Sequence, residues 1–262
     1  MNDIALTHLL DVAICASDAA GKHALNNTDR RTEASETFTH DVKLVLDMEC
    51  QKIAEEIIAQ EFPDHGILGE EDERPSLSSA YEWIIDPIDG TMNYTHNLPY
   101  WCSSVAVRHQ GKVVAGCVNA PVFNDYYTAH ADDAARLNGE PIRVSEAEHL
   151  QDAMVLSGLS KHMSSPREPH FDMFRMLALN ARKVRINGSA ALDLCNVAAG
   201  NGDGFFETGI YLWDYAAAGL IAEKAGGVVS LYPEENGPHC ATVLCANEHI
   251  IDSLRAIHTK CA

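Results

Sequence analysis

The run EWIIDPIDGTMNY, residues 82–94, constrains what this chain can become more than any other stretch. An apolar segment that reads as a buried strand ends in Asp86 and Asp89, three residues apart, with Gly90-Thr91 directly behind them. Two carboxylates brought together there repel each other and lose hydration unless a cation sits between them. An oxygen-only donor set favours a hard ion such as Mg²⁺. Asp86 and Asp89 are therefore candidate metal ligands, and Pro87-Ile88 can turn the Ile88 carbonyl toward the same ion. Gly90-Thr91 can open a helix whose free N–H groups face a phosphate. The same pentapeptide is also a competent polar turn, so more acids are needed to decide.

They are present. GEED places Glu70 and Glu71 after the apolar GIL, and YLWDYAAAG puts Asp214 at the start of a helix, where capping is its ordinary role. VKLVLD adds Asp47 in a helix, off the apolar stripe, where a solvated charge is expected from the pattern alone. Four separate elements each delivering a carboxylate is what a multi-metal site at sheet edges requires.

The rest of the chain reads as layered α and β. Residues 3–24 and the stretch from Val45 to Phe62 carry apolar positions at helical spacing, and 66–72 and 82–90 read as strands that stop at a site. A hairpin pattern follows from Ser103 around His109-Gln110-Gly111, then a strand over DYYTAHA and an Asn-Gly turn in LNGEPIRVS, 137–145. After that, strand-like MVLSGLS, KVRING and DGFFETG alternate with helical SAALDLCNVAAG and DYAAAGLIAEKAG, and 160–171 is the most loop-like passage. One compact unit is expected over residues 1–262, with sub-halves of roughly 1–145 and 146–262. Neither GxGxxG nor GxxxxGK[ST] occurs, which removes nucleotide binding by those loops.

With 19 basic against 38 acidic residues the net charge is -19, which disfavours nucleic acid and anionic membranes as partners. It also means that an anionic substrate needs a cation at its site. The eight cysteines are scattered without a Cys-x-x-Cys pair and read as reduced, mostly buried thiols. The N-terminus has no basic segment followed by an apolar one, and no apolar run reaches ~18–20 residues, so a cytoplasmic protein is expected. The 13 histidines form no HExxH, which leaves a zinc mechanism unsupported, and no nucleophile-base motif is evident.

DPIDGTMNY, with GEED upstream and WDYAA downstream, resembles the inositol monophosphatase family of Mg²⁺-dependent, lithium-sensitive phosphatases over essentially the whole chain. The resemblance implies an α/β layered fold, an αβαβα sandwich of the inositol monophosphatase and fructose-1,6-bisphosphatase type. It implies two or three Mg²⁺ ions, with Mn²⁺ as a substitute. Glu70, Asp86 and the Ile88 carbonyl would hold the first, Asp86, Asp89 and Asp214 the second, and Glu70 would also touch a third. Asp47 and Thr91 would orient or deprotonate the attacking water, while the Gly90 and Thr91 N–H groups hold phosphate oxygens. Ser189 and Ala190 of INGSAALDL, with Asp89, would border the substrate, and Glu207 of FFETG would accept a sugar hydroxyl. A helix cap for Ser189 and an exposed charge for Glu207 stand as equal readings. A homodimer is implied as well.

Two positions depart from the family pattern. Glu36 lies where a lysine is usual, and Leu44 stands in place of a threonine, while Asp41 and Asp47 match. The change bears on the flap near the third metal, hence on cation requirement and lithium sensitivity, and Lys43 is a candidate to compensate. EKAGG at 223–227 reads as surface drift. The expected substrate is inositol monophosphate or a similar sugar or polyol phosphate. Histidinol phosphate is the first alternative, then fructose 1,6-bisphosphate, 3'-phosphoadenosine 5'-phosphate and NADP. Outside catalysis, the alternatives are a metal- or phosphate-binding protein and a calcium-stabilised structural protein.

Overall fold

The computed structural model describes residues 5–37, 42–74, 79–159, 169–235 and 237–261. The chain opens with helix α1 (Leu6–Asn26), a ribbon of β1 (Ala34–Thr37) and β2 (Val42–Leu44), and helix α2 (Val45–Glu61). β3 (Gly66–Gly69), β4 (Glu73–Arg74) and β5 (Tyr81–Asp89) lead into the short α3 (Thr91–Thr95). β6 (Cys102–His109), β7 (Lys112–Ala120), β8 (Asp125–His130), β9 (Arg136–Leu137) and β10 (Glu140–Pro141) follow as a meander. The remainder is β11 (Met154–Ser157), α4 (Pro169–Asn180), β12 (Lys183–Ile186), α5 (Ala190–Ala198), β13 (Gly204–Tyr211), α6 (Leu212–Lys224), β14 (Val228–Pro233), β15 (Cys240–Ala246) and α7 (Ile251–Cys261).

Two sheets carry the architecture, in the orders β10-β9-β8-β7-β6-β5-β3-β4 and β12-β11-β13-β15-β14. Helices α1 and α2 cover one face of the larger sheet, α5 and α6 lie between the sheets, and α4 and α7 cover the outer face of the smaller one. The expected αβαβα layering is thus present. α1 packs closely because Leu9, Ala13, Ala16, Ala20 and Ala24 recur every three or four residues and are fully buried. The 160–171 passage divides: 160–168 lie outside the described residues, and 169–171 belong to α4, so the loop expectation fails for its last turn. None of the eight cysteines is in a disulfide, and six are buried. Among the described residues no helix is long and apolar enough to cross a membrane.

The register of β5 against β6 is what shapes the site. Ile85 faces Val105 and Asp86 faces Ser104, but the next pair is Asp89 with Cys102, three steps on one strand against two on the other. On a regular strand, residues three apart project to opposite faces. The bulge at Pro87-Ile88 absorbs the extra residue and returns Asp89 to the side of Asp86. Pro87, with no N–H to contribute to the ladder, suits a bulge. The strand therefore runs through both acids rather than stopping before them.

Where α2 hands over to β3, His65 is buried between the rings of Phe62 and Tyr81, at centroid distances of 4.5 and 4.9 Å and interplanar angles of 6° and 10°. Trp83 Nε1–H donates to His65 Nδ1 at 3.0 Å. Burial holds the His65 pKa below its ordinary value, against the pull of Asp64. A protonated Nδ1 would confront the indole N–H as a second donor. The folded state thus binds fewer protons than the unfolded one, and stability is lost as pH falls through and below ~6.5. Urea midpoints between pH 8 and 5 should therefore drop more steeply for the wild type than for His65→Phe. Equal slopes would remove His65 from the acid response.

Candidate metal and phosphate site

Carboxylate oxygens of Asp86, Asp89 and Asp214 lie within 4.8 Å of one another. Asp86 and Asp89 are buried at the end of β5, and Asp214 comes from the first turn of α6. Oxygens at that spacing can share an ion bound at about 2.1–2.6 Å from each. Glu70, the residue after β3, stands outside that group of three. It lines the same cavity of about 170 Å³ with Asp86, Ile88, Asp89, Gly90, Thr91 and Asp214. The N-cap expected of Asp214 is corrected by three residues: Tyr211 holds that position, and Asp214, third in α6, reaches back so that its Oδ2 accepts Tyr211 N–H at 2.6 Å. Capping and membership of the acid group coexist.

Each aspartate is held by local donors. Ile88 N–H donates to Asp86 Oδ1 at 3.1 Å. Asp89 Oδ2 accepts from Ser189 Oγ at 2.5 Å, from Ala191 N–H at 2.8 Å and from the Cys102 thiol at 3.7 Å. Ser189 is at the same time the cap of α5, accepting from Leu192 N–H at 3.4 Å, so its two readings are both satisfied. Burial, then the charges of Glu70, Asp89, Asp214 and Asp47, push the Asp86 carboxyl well above the usual range. Burial also raises Asp89, although its Ser189, Ala191, Ala190 and Cys102 hydrogen bonds pull the other way. A buried set of oxygen donors that disfavour one another's charge fits a hard divalent cation.

Thr91 Oγ1–H donates to the Ile88 carbonyl at 2.9 Å, which leaves that carbonyl one lone pair and the threonine oxygen its acceptor capacity. Gly90 caps α3 with φ of 94°, in the left-handed region.

Asp47 corrects the sequence expectation. It is 2% exposed, in the first turn of α2, where its Oδ2 accepts Leu44 N–H at 2.8 Å. Leu44 has no side-chain oxygen and is fully buried, so Asp47 takes over the capping that a hydroxyl residue would share. Lys43, the candidate compensating cation, pairs with Glu71 Oε2 at 3.1 Å, beside Glu70 in sequence. Glu36 faces Lys43 in the β1–β2 ribbon, and Asp41 lies outside the described residues.

A second cavity, of about 300 Å³, adjoins the first and shares Asp89, Met92, Gly188 and Asp214 with it. Ser189, Ala190 and Glu207 line it. Glu207 is partly buried rather than an exposed charge, and it has no hydrogen-bond partner among the described residues. Its carboxylate rests on Gly158, where a Cβ would come within 1.9 Å of Oε1, so only glycine leaves room for it. Burial, then Asp193, Asp214 and Asp89, push its pKa well up.

Sequence reasoning missed the support beneath this site. Tyr100 OH and Asn187 Nδ2 donate to Asp193 at 2.6 and 2.7 Å, and burial still pushes Asp193 up to about 7. Asn93 Nδ2 donates to the carbonyls of Tyr100 at 2.7 Å and Asn187 at 2.8 Å, tying α3 to the loop before α5. The available signal was a lone acid inside the apolar helical run AALDLC.

The two sheets interleaved with three helical layers, and acids from β5 and α6 meeting at one end, define the class. The chain belongs to the inositol monophosphatase family, whose model matches residues 5–261. It is 35% identical over 234 residues to the Nus factor SuhB of Pasteurella multocida, covering 88% of this chain and 86% of that one. It is 34% identical over 266 residues to the inositol monophosphatase of Dictyostelium discoideum, covering 97% and 96%. Among solved structures, the extragenic suppressor protein suhB of Bartonella henselae superposes with a TM-score of 0.89 at 29% identity, over 97% of this chain and 99% of that one. The inositol monophosphatase of Anabaena gives 0.84 at 30% identity, over 97% and 96%.

Proposed function

We propose that this protein is a cytoplasmic, homodimeric, Mg²⁺-dependent phosphatase that hydrolyses a small phosphate monoester by direct attack of water. The observation that carries this reading is the group of three carboxylates within 4.8 Å, beside a cavity of a size to take a small alcohol. Asp86, Asp89, Asp214 and the Ile88 carbonyl would hold the ions, with Glu70 on the same cavity wall. Bound there, Mg²⁺ supplies positive charge to the phosphoryl oxygens and acidifies water. Thr91, donating a hydrogen bond to the Ile88 carbonyl, accepts one from the attacking water, and Asp47 is the base in this reading. The Gly90 and Thr91 N–H groups hold phosphate oxygens. Ser189, Ala190 and Glu207 border the leaving alcohol. Inositol monophosphate and histidinol phosphate head the substrate readings.

A second, non-catalytic reading rests on Leu44 and on the name Nus factor SuhB carried by several relatives. Phosphate release from a panel of esters, with and without Mg²⁺, separates the two. Binding without release would favour the second. Mg²⁺ should also stabilise the fold, by about 2.7 kcal/mol at one hundred times its dissociation constant, a rise of several degrees in Tm. A Tm indifferent to Mg²⁺ would count against the ligand set itself.

A further inference from the structure

We propose that Asp193 is a positioning residue of the metal site, a carboxylate that lines neither cavity and holds Asp89 in place through Asn187 and Ser189. This rests on the metal-dependent phosphatase reading above and adds a residue to it.

The segment between β12 and α5 has little apolar burial to fix it. Arg185, Ile186 and Gly188 are exposed, and Asn187 is half-buried. Yet the next residue, Ser189, is buried and places its hydroxyl 2.5 Å from Asp89 Oδ2. A loop without a hydrophobic anchor holds such a distance only if its polar groups are tied down.

Asn187 provides the ties. Its Nδ2 donates to Asp193 Oδ1 at 2.7 Å, and its carbonyl accepts from Asn93 Nδ2 at 2.8 Å. Asn93 Nδ2 donates as well to the Tyr100 carbonyl at 2.7 Å, and Tyr100 OH donates to the same Asp193 oxygen at 2.6 Å. The bonds close a ring, from Asn93 to Tyr100 to Asp193 to Asn187 and back. A hydrogen-bond ring rigidifies what it holds when its members are partnered. Asp193 is itself fixed in α5, where its N–H donates to the Ser189 carbonyl at 3.0 Å. The ring therefore sets where Ser189 stands relative to the acids.

The residue type at 193 points the same way. Leu192, Leu194 and Cys195 around it are buried, and a further apolar side chain would suit that run. It would also leave the Tyr100 hydroxyl and the Asn187 amide without their acceptor. Groups that hydrogen-bond a metal-holding carboxylate orient it for the ion, and losing one costs about 10–100-fold in affinity.

The experiment measures Mg²⁺ binding to the full chain by calorimetry, well below the melting temperature, and beside it phosphate release from 4-nitrophenyl phosphate as Mg²⁺ is raised. Asp193→Ala should weaken Mg²⁺ binding by about tenfold, and Asn187→Ala, a change on a half-buried loop residue that leaves α5 intact, should reproduce the loss. Asp193→Asn keeps Oδ1 for both donors, so it should bind near the wild-type value. Ser189→Ala should weaken binding too. In the double variant Asp193→Ala with Ser189→Ala the losses should fall well short of their product, because both run through one hydroxyl. The Mg²⁺ concentration for half-maximal release should follow the same order. Wild-type affinity in Asp193→Ala and Asn187→Ala with only a lowered Tm, an asparagine variant as weak as the alanine one, or losses that multiply in the double variant overturns the proposal. A wild type that binds Mg²⁺ without releasing phosphate overturns the phosphatase reading alone, since the calorimetry still decides the role of Asp193. One that binds no Mg²⁺ overturns both.

Discussion

Asp86→Asn is expected to lower kcat/KM for the proposed phosphate release by about 10³-fold or more, equivalent to roughly 4 kcal/mol of transition-state stabilisation. Asp86 is the most buried of the three clustered acids, and in the proposed arrangement it is the ligand common to both ions. Asparagine keeps the shape and can still accept Ile88 N–H through Oδ1, so the bulge in β5 is preserved. It removes the negative charge that attracts the cation, and with it the repulsion from Glu70, Asp89, Asp214 and Asp47. Loss of function and gain of stability should therefore arrive together: without metal the variant melts at or above the wild-type Tm, and added Mg²⁺ no longer raises it as it does in the wild type. The same split separates a ligand from a merely structural residue, whose loss would lower both. A variant retaining activity within tenfold of wild type, or a full Mg²⁺ response, would remove Asp86 from the site.

Much of this was legible in the chain because it is written in local patterns. The alternation and apolar runs of β5 to β8, the helical spacing of α1 and α2, and the short motifs around the acids at 70, 86, 89 and 214 can each be read from a window of a few residues. What was not legible is set by neighbours far away in sequence. Asp47 reads as off a stripe drawn through Ile53 and Ile57, yet those two are only half-buried, and the buried face of α2 runs through Asp47, Cys50, Gln51, Ala54 and Ile58. A bulge leaves no period of its own, so the pattern could not say that Asp86 and Asp89 share a face. Asp193 is buried because Tyr100 and Asn187 reach it from other elements, and Glu207 stands as it does because residue 158 is a glycine. For Ser189 and Asp214, capping and site membership were posed as rivals, whereas a carboxylate or hydroxyl with several acceptor positions serves two partners at once.

Gly90→Ala carries the second large effect, because this glycine joins backbone conformation to the position of two proposed site residues. Its φ of 94° is costly for any L side chain, about 1–3 kcal/mol when the surroundings enforce it. Here they do: a Cβ would lie 3.0 Å from the Tyr100 carbonyl oxygen, 3.1 Å from that of Gly188 and 3.2 Å from Trp101 Cβ. Those two carbonyls both accept from Asn93 Nδ2, at 2.7 and 3.3 Å, so they cannot recede without breaking the tie between α3 and the loop ahead of α5. That loop delivers Ser189, whose hydroxyl holds Asp89, and Gly90 itself separates Asp89 from Thr91. A shift at residue 90 thus moves acid, threonine and phosphate-facing N–H groups together. Displacements of about 1 Å at a reacting centre can cost 10²-fold, so kcat should fall by about that factor when assayed well below the melting temperature. Gly139→Ala supplies the control: φ there is 86°, nothing lies within 4 Å of the added Cβ, and the β9–β10 turn is remote in sequence from the acids. It should show the conformational cost in Tm and leave phosphate release at the wild-type rate. Equal activity in the two variants would mean that strain at residue 90 is not transmitted to the acids.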